Sequence, residues 1–225
     1  MTINSQDTPY ILGIKSLFKE SRVKKYPKNQ IVFYQGDPIT NICLITSGYV
    51  KAYTILDSGD TRTLFLLGPG DIFPIAFSVN LQWDKYNVRY FYQSLTDIEI
   101  SMVESSIFKK NVENDQAMMN AYLTYMAATN EAIVHQLEMM KTKGAMNKVA
   151  FLLPYLANKL GKQLGPDTYQ LLIKLSHQEI ADLTGLTRET TTQQVKKLEK
   201  EGAIDQKNGN WIIKATEDSL EGLRG

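Results

Sequence analysis

The sequence predicts an α+β chain in three parts: a β-rich N-terminal domain over 1–110, a long helix over 111–142, and a C-terminal domain of helices and a β-hairpin over 143–225. Three observations predict it. Between Gln30 and Val103, short β-branched and aromatic runs alternate with turn signals. Between Asn111 and Met140, apolar residues recur at helical spacing, and from Leu175 onward two capped helical segments flank a glycine and lead into a hairpin.

In order along the chain, residues 10–25 read as a short amphipathic helix, with Ile11, Leu12, Ile14, Leu17 and Phe18 followed by basic Arg22, Lys24 and Lys25. The runs IVFY, ICLIT, YVKAYTIL, TRTLFLL, VRYFYQSL and IEISMV are cut by turns at Gly36, Gly48, Gly59 and Gly68-Pro69-Gly70-Asp71, which implies an all-β sandwich or barrel. In the long helix Met119, Leu123, Met126, Asn130, Ile133, Leu137 and Met140 follow one another at alternating gaps of four and three. Such a stripe also packs a helix on its own domain, but strict 3-4 spacing is narrower than core packing needs. It therefore reads as a two-stranded seam, with Asn130 at a position where a buried Asn fixes register.

Lys141-Thr142-Lys143-Gly144 breaks the helix and reads as a hinge. A further helix is predicted over about 145–160, limited or kinked by Pro154, then a loop over 161–167 and a short strand over 170–174. In LSHQEIADLTGLTRETTTQQVKKLEKEGAI, Ser176 caps a helix with Glu179 closing a capping box, and Gly185 ends it. Thr187 caps a second helix whose inward positions are Thr191, Val195 and Leu198. Arg188, Glu189, Thr192, Gln193 and Lys196 face outward. Two helices joined in this way also occur in helical packing without nucleic acid, but Arg, Gln, Thr and Lys together on the outward face make them read as a helix-turn-helix, whose second helix enters the DNA major groove. The hairpin 204–213, with Asn208-Gly209 as its turn, reads as a wing beside it.

Net charge is only +1, but residues 141–214 carry twelve Lys/Arg against seven Asp/Glu, so positive charge is concentrated where the helix-turn-helix lies. The single cysteine, Cys43, sits in an apolar run and excludes an internal disulfide or a cysteine-ligated iron–sulfur cluster. The first residues lack a basic and apolar leader, and no apolar run is long enough to span a bilayer, so a soluble cytoplasmic protein without membrane association is expected.

The order of segments resembles the Crp–Fnr superfamily of transcription regulators, and the resemblance covers nearly the whole chain. It is carried by Ser176-x-Gln178-Glu179-Ile180-Ala181, Gly185 and Thr187-Arg188-Glu189-Thr190, with Gly36, Gly48, Gly59 and the Gly68-x-Gly70-Asp71 turn in support. It implies an antiparallel, cyclic-nucleotide-binding-like β-roll, a dimerisation helix and a winged helix-turn-helix. It further implies a homodimer that binds duplex DNA at a palindromic site and works with RNA polymerase. Arg188, Glu189, Thr192 and Gln193 become candidate base contacts, with Arg188 on guanine and Glu189 on an exocyclic amine. Ser176, His177, Gln178, Thr187, Thr190 and Lys196 become candidate phosphate contacts. Gln193 stands where the family commonly has Arg, which favours adenine over guanine at that base pair.

The effector half departs from the cyclic-AMP-binding pattern. Gly70-Asp71 is followed by Ile72-Phe73-Pro74-Ile75 without a ribose-binding carboxylate, and Arg89 in Tyr86-Asn87-Val88-Arg89-Tyr90 lacks a serine partner. Cyclic AMP, an iron–sulfur cluster and haem are therefore not expected, since His135 and His177 lie on the long helix and the DNA-contacting helix. Arg62, Phe73, Tyr86 and Arg89 are left as a candidate pocket for an apolar, aromatic or carboxylate effector, if one exists; Phe73, Phe77, Trp83, Tyr86, Tyr90, Phe91 and Tyr92 read more simply as packing. No phosphate loop, nucleophile elbow or metal-binding spacing supports an enzyme. The alternative to a DNA-binding regulator is a ligand-sensing protein that acts through protein partners.

Overall fold

The computed structural model describes residues 9–74, 87–207 and 209–215. The chain divides into two compact units, residues 1–59 with 64–127 and residues 60–63 with 128–225.

In the first unit the helix expected over 10–25 is shorter. α1 is Pro9–Ser16, and the basic cluster belongs to a strand, β1 (Arg22–Tyr26). Among the described residues β1 lies at a sheet edge and pairs only with β8 (Ile98–Glu104), from Arg22 opposite Met102 to Tyr26 opposite Ile98. Its first four residues are exposed, so backbone hydrogen bonds rather than burial hold it, and charged side chains are tolerated there. The remaining strands are β2 (Ile31–Phe33), β3 (Asn41–Ser47), β4 (Val50–Ile55), β5 (Thr61–Leu67), β6 (Ile72–Phe73) and β7 (Phe91–Ser94). They form two four-stranded sheets, ordered β1-β8-β3-β6 and β2-β7-β4-β5. This is the β-roll expected from the resemblance. One of its turns needs glycine outright: Gly48 has φ 82°, and a Cβ there would lie 2.2 Å from the Asp97 carbonyl oxygen.

The core includes Ile42, Cys43, Ile45, Val50, Ala52, Ile98 and Ile100, with Phe73 and Tyr92 at its centre. Phe33, Phe73 and Tyr92 meet at centroid distances of 5.4–6.3 Å.

The helix expected from about Asn111 is two helices, α2 (Ser105–Asn114) and α3 (Gln116–Lys141). Asp115 separates them. Its backbone is extended, at φ −121° and ψ 111°, and its Oδ1 accepts from the amides of Ala117 and Met118 at 2.8 and 3.2 Å. An Asp in that role starts a new helix rather than continuing the old one. Met118, Ala121, Tyr122 and Tyr125 of α3 are buried, and the Tyr125 hydroxyl engages the backbone of Ile72, accepting from its amide at 3.2 Å.

In the second unit α3 ends at Lys141, where the sequence breaks the helix, and α4 (Ala145–Leu160) follows Gly144, whose φ is 87°. α4 runs through Pro154 and buries Val149, Leu152, Leu153, Leu156 and Leu160. The loop expected over 161–167 contains a strand, β9 (Gly161–Gly165), paired with β10 (Thr168–Leu171). None of the five β9 residues is buried, so the strand has no apolar alternation to announce it. α5 (His177–Thr184) and α6 (Arg188–Lys200) lead into β11 (Ile204–Lys207) and β12 (Asn210–Lys214). The sheet order is β11-β12-β10-β9. Lys207 pairs with Asn210, which leaves two residues in the turn; of these Asn208 lies outside the described residues.

Candidate nucleic-acid interface

Each end of α5 is fixed by the residue the sequence assigns to it. The Ser176 hydroxyl accepts from the Glu179 amide at 3.2 Å while the Glu179 carboxylate accepts from the Ser176 amide at 2.6 Å, completing the capping box. At the other end Gly185 is left-handed, at φ 71° and ψ 19°, and its amide donates to the Ala181 carbonyl at 2.9 Å. Ile180, Ala181 and Leu183 are buried between these ends. α6 is capped by Thr187, whose hydroxyl accepts from the Thr190 amide at 3.2 Å.

α6 has two distinct faces. Thr191, Gln194, Val195 and Leu198 are buried; Gln194 joins the three inward residues expected from spacing. Arg188, Glu189, Gln193 and Lys196 are exposed together on the other face, and Thr192 is half-buried between the two. Among the candidate phosphate contacts, Ser176, Gln178 and Thr187 are exposed, whereas His177 and Thr190 are half-buried. Both helix N-termini leave backbone amides without intrahelical partners, which suits an anionic backbone.

Arg188, Ser176, His177 and Gln178 line one open cleft of about 270 Å³ with Gln206, Gly209 and Trp211 of the wing. Sequence reasoning missed Gln206 and Trp211. Trp211 is buried on β12 and meets the His177 ring edge-on at 6.2 Å, while Gln206 donates to the Glu199 carboxylate at 2.9 Å and so ties the wing to α6. The only sequence signal for either was the hairpin itself. Asp182 was also missed. It is buried, accepting from Gln178 Nε2 at 2.7 Å and from the Thr61 hydroxyl at 2.9 Å, so part of the Gln178 amide is turned inward.

Along α3 the heptad residues are not the buried face. Leu123, Leu137 and Met140 are 57%, 49% and 58% exposed, and Asn130 is exposed; Met119, Met126 and Ile133 are half-buried. Met119 and Met126 also pack against the β-roll core.

The structure describes three of the four candidate effector residues. Phe73 is wholly buried in the aromatic core, Arg89 is exposed, and Tyr86 lies outside the described residues, as do Phe77 and Trp83. Arg62 groups with the second unit, donating to the Thr61 carbonyl at 3.0 Å. Phe73 therefore serves packing rather than a pocket, because a ring enclosed by Phe33 and Tyr92 has no free face to offer. Cys43 is likewise enclosed, and burial pushes its thiol up to about 12.

Comparison with known proteins agrees with both units. A family model described as a cyclic nucleotide-binding domain matches residues 23–115, and one described as a Crp-like helix-turn-helix domain matches residues 147–222. The chain is 26% identical to the Electron transport regulator A of Shewanella oneidensis, over 91% of this chain and 79% of that one. It is 27% identical to the Cyclic AMP receptor protein of Thermus thermophilus, over 80% and 77% respectively. The solved structure of FixK2 from Bradyrhizobium japonicum superimposes with a TM-score of 0.74 at 20% identity, covering 91% of this chain and 98% of that one. With a cyclic nucleotide-binding-like β-roll followed by a Crp-like helix-turn-helix, the chain belongs to the Crp–Fnr superfamily of DNA-binding transcription regulators.

Proposed function

We propose that the protein acts in the cytoplasm as a homodimer that grips a two-fold symmetric DNA site, placing one α6 in each of two successive major grooves. The observation that carries this reading is the division of α6: Arg188, Glu189, Gln193 and Lys196 stand exposed on one face while the opposite face is spent in the core. Arg188 suits a bidentate contact with guanine, Glu189 accepts from an exocyclic amine, and Gln193 suits adenine. Ser176, His177, Thr187, Thr190 and Lys196 would hold phosphates around them, with Gln178 contributing its remaining amide hydrogen.

The second copy is argued from α3. Leu123, Leu137 and Met140 are exposed at heptad spacing with Asn130 among them, and a partner helix in register would cover all four. Two-fold pairing would set the recognition helices about 34–36 Å apart, one turn of DNA. A small effector other than cyclic AMP would switch binding only through unequal affinity for two spacings of the paired helices. RNA polymerase is the partner expected at the promoter.

Two measurements test this reading. Gel shifts with DNA selected from random duplexes should give a specific complex whose affinity falls steeply with salt as phosphate contacts are screened. Arg188→Glu should abolish that complex without changing the melting temperature. In sedimentation, Leu123→Glu combined with Leu137→Glu should convert dimer to monomer. A wild-type chain that sediments as a monomer and binds all duplexes alike would end the proposal.

A further inference from the structure

The half-buried residue of the recognition helix, Thr192, holds its hydroxyl in a fixed arrangement. Its Oγ1 donates to the Arg188 carbonyl one turn back at 2.9 Å, and it lies 2.9 Å from Nδ1 of His177. A threonine hydroxyl has one proton and two lone pairs. The proton is already given to Arg188, so Nδ1 of His177 must carry the hydrogen and donate to Thr192. The His177 ring is itself held edge-on against Trp211 of the wing, which is buried. The hydroxyl thus has no proton to offer a base acceptor, and it is turned toward the helix backbone and α5. With the hydroxyl engaged by two groups of its own protein, the γ-methyl group is what this side chain can offer a base.

We propose that Thr192 reads the C5 methyl of a thymine by apolar contact, and that His177 positions it to do so. This rests on the DNA-binding reading above and adds to it a chemical identity at one base pair. Thymine is the only DNA base that presents a methyl group in the major groove, and a Thr methyl is a suitable partner for it. His177 would then bridge α5 to α6 and hold the Thr192 side chain in place.

The experiment replaces each thymine of the selected DNA site, one per half-site, with deoxyuridine, which removes the C5 methyl and nothing else. For the wild-type protein one replacement should weaken binding roughly fourfold, the factor expected for one buried methyl group, and the rest should have little effect. Thr192→Ser keeps the hydroxyl and loses the methyl, so its binding should be indifferent to that replacement. Thr192→Val keeps the methyl and should retain the wild-type sensitivity. His177→Ala should reduce it, because the Thr192 side chain is then free to turn. A wild-type complex indifferent to every replacement, or a Thr192→Ser protein as sensitive as wild type at the same thymine, overturns the assignment. Unchanged sensitivity in His177→Ala overturns the positioning role. Failure to form any specific complex would instead sink the DNA-binding reading, and this assignment with it.

Discussion

In the winged unit Arg188, Glu189, Gln193 and Lys196 are left outside a helix whose other face is packed; in the β-roll, Phe33, Phe73 and Tyr92 are used up inside. Both regions are built from short elements joined by left-handed glycines, Gly185 in one and Gly48 in the other. They differ in what the scaffold leaves over. The helix-turn-helix satisfies its own hydrogen bonds with Ser176, Glu179 and Thr187, which frees a row of long polar side chains for a partner. The roll fills its interior with its own rings. A surface that packing does not consume is available for recognition, and that asymmetry yields a set of tests.

The largest expected effect is chemical. Cys43 lies in the roll interior, and burial, which disfavours the charged thiolate, raises its thiol to about 12. Below that pH it stays protonated. Relative to a free cysteine near 8.5, alkylation of the folded protein at pH 8 should be slower by roughly a thousandfold. Fast labelling by iodoacetamide under native conditions would mean that the roll has an opening at its centre and would break the contrast. Phe73→Ala tests the same interior by removal, and in urea unfolding it should cost about 3–5 kcal/mol, as losing a fully enclosed ring does. A much smaller cost would mean that the ring is not enclosed as described and could serve a pocket.

On the recognition face, Gln193→Arg should change choice rather than stability. The exposed side chain can exchange an adenine preference for a guanine one, a shift of about 1–3 kcal/mol in discrimination at a single base pair. Selection of bound DNA with both proteins would show it. An unchanged site would remove Gln193 from the contact set.

How far the sequence alone reaches follows the same asymmetry. Capping box, glycine stop, the break after Lys141 and the exposed face of α6 were legible because each depends on residues within a few positions of one another. The heptad stripe of α3 was legible too, although the sequence could not say whether the roll already covered it; the exposure of Leu123, Leu137 and Met140 speaks to that. The errors lie where a distant partner decides. β1 exists because β8 offers it a ladder, despite its Arg22-Val23-Lys24-Lys25 texture. β9 exists because β10 pairs with it, although none of its residues is buried. The split at Asp115 turns on one side-chain cap inside an otherwise helical run. Phe73, which the sequence offers to a pocket, is enclosed by Phe33 and Tyr92, rings far from it in the chain that no local pattern brings to it.

The smallest effect is also the one that separates scaffold from surface at a single atom. The Ser176 hydroxyl belongs to the α5 cap, where it accepts from the Glu179 amide and donates to the Glu179 carboxylate at 2.8 Å, and it is exposed at the candidate phosphate path, so it can serve DNA only by turning its one proton from Glu179 to a phosphate. Ser176→Ala should cost about 1 kcal/mol of stability, whereas Ser176→Gly should cost only a few tenths, because glycine is itself an acceptable N-cap. If the hydroxyl also donates to a phosphate, the two variants lose affinity equally, and by the same factor on specific and random duplexes, since a phosphate contact carries no sequence information. If it serves the cap alone, affinity follows stability and Ser176→Gly binds nearly as wild type. Equal losses from unequal stabilities would therefore assign the hydroxyl to DNA, because no effect on folding can weaken both variants alike.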